Sequence, residues 1–285
     1  MPESIHPDAK IGAVHLTVAN LDRSLDFYQN QLGFKLHRRE GDTARLGAGG
    51  RDLLVLTQIP EAPHPRGTTG LYHFAVLVPS RLELGRSLSR IAETRTPVQG
   101  FSDHLVSEAI YLPDPDGNGI EIYRDRPRDE WPRDDGRLRM ATDPLDIDGI
   151  LAELAGHDEP WSGLKPETVI GHMHLHVANI PEAEAFWCGA LGFDLVLRYG
   201  PTASFVSAGG YHHHLGMNTW AGVGAPPPPP DAIGLRYFTL ELPNAAEVGR
   251  VADRVRKAGA DIEEVEEGLL ARDPSRNGVV LTSAG

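Results

Sequence analysis

The sequence has little cysteine, no long apolar run and no excess of basic residues, and each absence excludes a class of protein. The single cysteine, Cys188, cannot form an internal disulfide, so a cytoplasmic location is expected. No apolar stretch approaches the roughly 18 residues of a membrane-spanning helix, and the first residues lack the basic start and apolar stretch of a signal peptide. The formal net charge of −13 argues against nucleic acid, whose phosphates need clustered Lys and Arg.

The main positive feature of the sequence is an internal repeat within its 285 residues. The segment G-A-V-H-L-T-V-A-N-L from Gly12 recurs as G-H-M-H-L-H-V-A-N-I from Gly171, and both copies continue to an aromatic pair and L-G-F. Later, G-L-Y-H-F-A-V-L-V-P from Gly70 matches G-L-R-Y-F-T-L-E-L-P from Gly234. The segment D-P-D-G-N-G-I-E from Asp114 likewise recurs as D-P-S-R-N-G-V-V near the end of the chain.

Hydrophobic periodicity divides each half of the repeat into two β-α-β-β-β units. Residues 11–19 alternate and are β-rich, residues 21–32 carry leucines and a tyrosine at helical spacing, and Gly33 ends that helix. Three short strand-like runs follow, and the same order restarts at Leu71. An α+β fold is therefore expected, with a first module at residues 1–124, a linker with a short helix at 125–166 and a second module at 167–285.

Only the first half keeps a complete set of candidate metal ligands. These are His15, His73 and Glu121, and the matching positions of the second half hold His174, Tyr237 and Val280. Two histidines and one carboxylate are the ligand set of an open-site iron(II) enzyme. A carboxylate between Ile120 and Ile122 in a strand also needs a partner if it is buried, and a cation is a good one.

The repeated β-α-β-β-β order, the L-G-F motif and D-P-x-G-N-x-x-E resemble the vicinal oxygen chelate superfamily, which includes glyoxalase I, bleomycin- and fosfomycin-resistance proteins and type I extradiol dioxygenases. The two-module length and S-D-H-L-V-S-E-A-I-Y-L-P-D-P-D-G-N-G-I-E from Ser102 are most similar to bacterial catechol 2,3-dioxygenases. The resemblance covers nearly the whole chain outside the linker. It implies modules curled into open cups, with ligands on the first strand of each unit and on the last strand. His15, His73 and Glu121 match those positions.

The resemblance also implies a chemistry: O2-dependent cleavage of a catechol beside its two hydroxyls, at iron(II) or, as an alternative, manganese(II). Tyr111, ten residues before Glu121, matches an active-site tyrosine that contacts a substrate oxygen. His104 is the nearby candidate for acid–base work, because an imidazole can move a proton near pH 7. The matching family histidine falls nearer Ser102, so this assignment needs a small shift in alignment. A homodimer is implied by the family alone.

A second concentration of histidines lies in the second half, where the other ligands are lost. It comprises His172, His174, His176, His212, His213 and His214. The stretch Y-H-H-H-L resembles the R-H-H of extradiol enzymes, and His213 is the natural match to the histidine that helps proton transfer. Three interpretations remain open: a remnant cup packed against the first module, a second and weaker metal site that includes His174 and His213, or dimer contacts. The first is favoured.

Two other functions compete with the dioxygenase. A glyoxalase-like isomerase or lyase would use nickel or zinc and need no O2, but such sites usually add a fourth ligand on the fourth strand. There, only Asp52 is acidic, and it lies at the start of the strand. A metal-free protein that sequesters an antibiotic or aromatic compound is the other alternative, and it would not need the three ligands.

Overall fold

The computed structural model describes residues 3–157 and 159–283, and its elements follow the expected order of four β-α-β-β-β repeats. The first repeat comprises β1 (Lys10–Val18), α1 (Leu21–Asp26), β2 (Lys35–Glu40), β3 (Thr43–Gly47) and β4 (Asp52–Gln58). The second comprises β5 (Gly70–Leu77), α2 (Arg81–Glu93), β6 (Gly100–Asp103), β7 (Ser107–Pro113) and β8 (Gly119–Asp125).

The linker between the halves contains β9 (Arg133–Asp134), β10 (Arg137–Leu138) and α3 (Ile147–Ala152). The third repeat comprises β11 (Val169–His176), α4 (Ile180–Glu184), β12 (Asp194–Tyr199), β13 (Ala203–Ser207) and β14 (Leu215–Asn218). The fourth comprises β15 (Gly234–Leu242), α5 (Ala245–Lys257), β16 (Ile262–Val265), β17 (Gly268–Arg272) and β18 (Gly278–Ser283).

The strands form two mixed eight-stranded sheets, which confirms the α+β fold. Sheet 1 has the order β16-β17-β18-β15-β1-β4-β3-β2, and sheet 2 has the order β12-β13-β14-β11-β5-β8-β7-β6. Sheet 1 therefore contains strands of the first and fourth repeats, and sheet 2 contains strands of the second and third. In three repeats the first and last strands pair in parallel, as β5 does with β8, and the remaining printed pairs within each repeat are antiparallel hairpins.

By packing, the chain forms two compact units. One contains Val18–Pro60 and His73–Ile170, and the other contains the residues up to Thr17, Glu61–Tyr72 and the residues from Gly171 onward. The predicted division at residues 124 and 166 remains a prediction. Each unit has an apolar core of side chains that are fully buried, such as Tyr28 and Phe74 in the first and Trp187 and Phe238 in the second.

The first helix shows how local sequence sets these elements. The Asn20 side chain accepts a hydrogen bond from the Arg23 N–H and caps α1. After Asp26 the helix widens into a π-helical turn, Phe27–Gln31, and the chain leaves it through Gly33, whose φ is +81°. The predicted helix is thus present, in two segments. No helix in the described part of the chain is long and apolar enough to cross a membrane.

Gly33→Ala is expected to destabilise the protein more than Gly41→Ala. At Gly33 a Cβ atom would lie 2.5 Å from Trp161 Cζ2 and 2.7 Å from Gly163 Cα, whereas at Gly41, with φ of +55°, it would meet nothing within 4 Å. Both substitutions carry left-handed backbone strain of about 1–2 kcal/mol, and overlap adds about 1–3 kcal/mol at Gly33 only. Urea unfolding followed by circular dichroism measures both; equal losses would contradict the packing at Gly33.

Candidate metal centre

Two of the predicted ligands, His73 and Glu121, lie on neighbouring parallel strands of sheet 2. β5 and β8 pair with Ala75 opposite Glu121. Because alternate residues of a strand share a face, His73 lies on the same face as both. The His73 Nε2 atom is 3.0 Å from the Glu121 Oε2 atom, and both side chains are buried. Strand pairing thus brings an imidazole and a carboxylate together where little water reaches them.

His172, on β11, belongs to the same group of side chains. One ligand atom from each of His73, Glu121 and His172 lies within 4.8 Å of the others. Their exposed fractions are 6%, 2% and 1%. Within residues 3–157 and 159–283, this is the only group of three or more His, Cys, Asp or Glu side chains so close together.

The chemistry of these donors fits a divalent metal ion. A buried carboxylate needs an opposite charge or several hydrogen bonds to offset the loss of water. Imidazole nitrogens suit iron, zinc, nickel and copper, while carboxylate oxygens also suit manganese. Two neutral imidazoles and one carboxylate carry a single negative charge, so a divalent cation bound to them would keep one net positive charge.

The third predicted ligand, His15, is not part of this group. It is on β1 of sheet 1, whereas β5 and β8 belong to sheet 2. Its ring stacks on Tyr237 of the adjacent strand, with ring centroids 4.2 Å apart. The second repeat shares its sheet with the third repeat and not with the first, so β5 and β8 belong to the same sheet as β11. In the sequence, the H-x-H-x-H pattern at residues 172–176 already indicates histidines on one face of a strand. Alignment of the two halves matches His15 with His174, and for this reason His172 was not predicted as a ligand.

The predicted catalytic residue Tyr111 lies beside this group. Tyr111 is directly opposite Glu121 in the antiparallel pair of β7 and β8, so the two side chains share a face. Its ring centroid is 5.5 Å from that of His73. The tyrosine is half-buried, and its side chain lies on the same face of sheet 2 as Glu121.

His104 is hydrogen-bonded to the Tyr111 hydroxyl. The His104 Nε2 atom is 2.6 Å from the Tyr111 hydroxyl, and the Nδ1 atom is 2.7 Å from the Ala141 carbonyl oxygen. A carbonyl oxygen only accepts, so Nδ1 carries the hydrogen. In a neutral imidazole Nε2 then accepts, and the Tyr111 hydroxyl donates to it. The two predicted catalytic residues thus form one hydrogen-bonded chain.

Part of the second histidine cluster lies next to His172. The rings of His172 and His213 are 4.1 Å apart between centroids. The His213 Nδ1 atom is 2.8 Å from the Nδ1 atom of His212, so one of the two nitrogens carries a hydrogen and the other accepts it. Both His212 and His213 are buried. The cluster therefore includes one member of the candidate metal-binding group and a neighbouring histidine that is hydrogen-bonded to His212.

Two further members of this cluster, His174 and His176, are hydrogen-bonded to one side-chain amide. The Asn218 side chain lies 2.7 Å from His176 Nδ1 through its oxygen and 3.0 Å from His174 Nε2 through its nitrogen. Two large aromatic rings pack against His174. The centroid of its ring is 5.0 Å from that of Tyr72 and 5.5 Å from that of Trp220. Tyr72 and Trp220 are 40% and 49% exposed, so this aromatic edge reaches the surface.

The D-P-D-G-N motif forms the tight loop that precedes β8 and hence Glu121. The Asp114 carboxylate accepts hydrogen bonds from the Asp116 and Asn118 N–H groups, from the Asn118 amide and from the Tyr28 hydroxyl. Burial raises the pKa of Asp114 despite these donors, and burial together with the Asp114 charge raises the pKa of Tyr28. The conformation of this loop is therefore fixed by one buried carboxylate.

Cys188 is unsuited to act as a nucleophile. It is half-buried in the π-helical turn that follows α4. Burial, together with the nearby Glu184 and Asp194 carboxylates, raises the pKa of its thiol to about 11. At neutral pH the side chain is a thiol, and the thiolate is the reactive form.

A family model described as the glyoxalase/bleomycin resistance protein/dioxygenase superfamily matches residues 10–122 and 169–278. A catechol-2,3-dioxygenase of Bacillus subtilis is 51% identical over 276 residues, which are 95% of this chain and 96% of that protein. A lactoylglutathione lyase of Neisseria meningitidis is 32% identical over 124 residues, or 40% of this chain.

Solved structures share the fold at low sequence identity. A putative dioxygenase from Bacillus subtilis superposes with a TM-score of 0.66 at 12% identity, covering 99% of this chain and 86% of that one. Glyoxalase I from Zea mays gives a TM-score of 0.60 at 16% identity, covering 97% and 92%. At such identities these likenesses establish the architecture alone.

Proposed function

The chain belongs to the glyoxalase/bleomycin resistance protein/dioxygenase superfamily, and we propose that it is an extradiol dioxygenase that opens the ring of catechol or a substituted catechol with O2. The observation that carries the proposal is the buried group of His73, Glu121 and His172. A set of two histidines and one carboxylate with open positions is typical of non-haem iron(II) oxygenases. The 51% identity to a catechol-2,3-dioxygenase over nearly the full length of both chains supports the same reaction.

His73, Glu121 and His172 would hold the metal ion, with His172 in the place that the sequence suggested for His15. Iron(II) is the proposed metal, and manganese(II) is compatible with the same donors. When bound, the metal supplies the one-electron chemistry between catecholate and O2 that side chains do not have. In the overall reaction the ring C–C bond beside the two hydroxyls breaks, and both atoms of O2 enter the product, so no external reductant is consumed.

Tyr111 and His104 are proposed to orient the substrate. Tyr111 lies opposite Glu121 on one face of sheet 2, where its phenolic oxygen can accept a hydrogen bond from a catechol hydroxyl. His104 Nε2 accepts the Tyr111 hydrogen at 2.6 Å, which fixes the direction of that hydroxyl. The pair therefore presents an oriented acceptor instead of a rotating one, and preorganised hydrogen bonds of this kind favour the reactive geometry.

His213 is proposed to take part in proton transfer. A catechol loses hydroxyl protons as it becomes a catecholate, and a base must receive them. The His213 ring lies 4.1 Å from the ring of His172, and its hydrogen bond with His212 gives it a partner for the proton's onward transfer. His174 is two residues after His172 on β11, so both side chains lie on the same face of the strand. Together with Tyr72 and Trp220, His174 is proposed to contact the aromatic ring of the substrate.

His172→Ala is expected to abolish metal binding, whereas His15→Ala is expected to preserve it. Both variants remove a buried strand histidine, so they are matched in size and chemistry, but only His172 lies in the group with His73 and Glu121. The metal content of each variant is measured after anaerobic reconstitution with iron(II) and desalting, with circular dichroism as the control for folding. Metal lost from His15→Ala and kept by His172→Ala would restore the ligand set suggested by the sequence.

O2 uptake with catechol tests the reaction itself. The protein is reconstituted anaerobically with iron(II) or manganese(II), mixed with catechol and O2, and followed by an oxygen electrode and by absorbance. Stoichiometric uptake with a yellow ring-opened aldehyde is the expected result. Tightly bound metal without uptake across a panel of catechols would contradict the proposal and favour an O2-independent isomerase or lyase of the same fold.

Tyr111→Phe is expected to lower kcat about tenfold, because one oriented hydrogen bond to the substrate is lost. Metal content should stay at the wild-type level, since the tyrosine is not a proposed ligand. Tyr199→Phe is the matched control, because Tyr199 is 64% exposed on β12 and should leave kcat unchanged. An unchanged kcat in Tyr111→Phe, measured by O2 uptake at saturating catechol, would remove Tyr111 from the mechanism.

A further inference from the structure

We propose that the linker segment at residues 140–143 is a positioning element of the catalytic site. The Ala141 carbonyl holds His104 in the tautomer that accepts the Tyr111 hydrogen, at 2.7 Å and 2.6 Å respectively. This inference rests on the proposed function. The segment lies outside the four β-α-β-β-β repeats, so the repeats alone do not supply this contact.

The linker reaches His104 by pairing with the end of β6. The Asp103 N–H donates to the Asp143 carbonyl and the Asp143 N–H donates to the Asp103 carbonyl, both at 2.9 Å, forming an isolated antiparallel bridge. The Ala141 N–H also approaches the His104 carbonyl oxygen at 3.4 Å. The bridge aligns the linker with the main chain around His104, and this alignment places the Ala141 carbonyl at the ring of the histidine.

The turn that carries His104 is itself constrained. Leu105 has a φ of +68°, a left-handed conformation that is costly for a leucine. The Asp103 carboxylate stabilises it by accepting the Leu105 N–H at 2.8 Å, and Arg126 donates to the other oxygen of that carboxylate at 2.7 Å. His104 therefore projects from a turn with little freedom, and its ring orientation depends on the few groups that contact it.

The linker is attached on both sides of the bridge. Before it, the Trp131 indole N–H donates to the Arg126 carbonyl at 2.9 Å, and the indole is buried. After it, the Arg81 guanidinium donates to Asp146 and Glu153 at 3.1 Å each, while it also binds the buried Glu108 carboxylate at 3.0 Å. The 140–143 segment is thus held between two anchored points, as a positioning role requires.

The Ala141 carbonyl decides the direction of the Tyr111 hydrogen bond. With Nδ1–H directed at that carbonyl, neutral His104 has only Nε2 to accept, so the tyrosine hydroxyl donates to it. Without the carbonyl, the alternative tautomer places the hydrogen on Nε2, and the histidine then donates to the tyrosine oxygen. Tyr111 would in that case present a hydrogen instead of a lone pair to the substrate. The Ala141 carbonyl of the linker therefore determines whether the Tyr111 oxygen can accept a hydrogen bond from the substrate.

Asp143→Pro tests the role of the linker, because proline removes the N–H that donates to Asp103. Asp148→Pro is the matched control: it makes the same exchange at an exposed linker residue in the first turn of α3, where helix N–H groups have no intrahelical acceptor. The first readout is the ¹⁵N NMR spectrum of the histidine rings in the full chain without metal, with His104 assigned by comparison with His104→Asn. The second is kcat for catechol after reconstitution with iron(II).

The expected result is a protonated Nδ1 on His104 in the wild type and in Asp148→Pro, and a mixture of tautomers in Asp143→Pro. We also expect kcat to fall about five- to tenfold in Asp143→Pro alone, the value of one hydrogen bond. A wild-type His104 protonated on Nε2 overturns the inference and needs no variant, so a folding defect in Asp143→Pro does not hide the answer. Unchanged tautomer and kcat in a folded Asp143→Pro would overturn it as well.

The two proposals fail in different ways. Wild-type protein that binds metal, shows Nδ1–H on His104 and takes up no O2 with any catechol overturns the proposed function and, with it, the catalytic purpose of the linker. Wild-type protein that takes up O2 while Asp143→Pro retains full kcat leaves the function intact and overturns only the role of the linker.

Discussion

The burial of the Glu121 carboxylate is the constraint on which the site depends. Taking an ionised carboxylate out of water carries a penalty of several kcal/mol unless a charge or hydrogen bonds offset it. Glu121 is 2% exposed and its immediate neighbours in the group are two imidazoles, His73 and His172. Two imidazole nitrogens and a carboxylate oxygen within 4.8 Å of one another form a donor set that suits a divalent cation, and the charge of such a cation would offset the burial of Glu121.

The surrounding structure keeps this carboxylate in register. Glu121 lies between Ala75 on one neighbouring strand and Tyr111 on the other, which leaves a small side chain on one side and a hydroxyl-bearing ring on the other. The buried Asp114 loop determines where β8 begins, because four donors converge on its carboxylate. Asp114 therefore fixes the start of β8, the strand that carries Glu121. The hydrogen bonds that do so involve only protein groups and do not depend on a metal ion.

Much of this organisation could be predicted from the sequence, but not which repeats pair their strands in one sheet. Alternating and helical periodicities indicate the four β-α-β-β-β repeats, since they depend on residues close in sequence. The proximity of His73 and Glu121 follows from a single repeat, in which first and last strands pair. Which repeats share a sheet is a long-range choice that periodicity does not encode. For this reason His15 was expected where the structure has His172, and no motif pointed to the Ala141 carbonyl.

The pairing of β1 with β15 has a consequence for how the protein is made. Lys10 is matched with Glu241, which lies 231 residues later in the sequence, so β1 receives this neighbour only after that whole intervening stretch has been synthesised. Non-local pairings of this kind slow folding, because loop-closure entropy is spent before the contacts form. During synthesis the apolar residues Val14 and Leu16 must remain without this partner. The pairing of distant repeats thus leaves the apolar residues of β1 in need of protection from aggregation for longer than strands that pair with a neighbour in sequence.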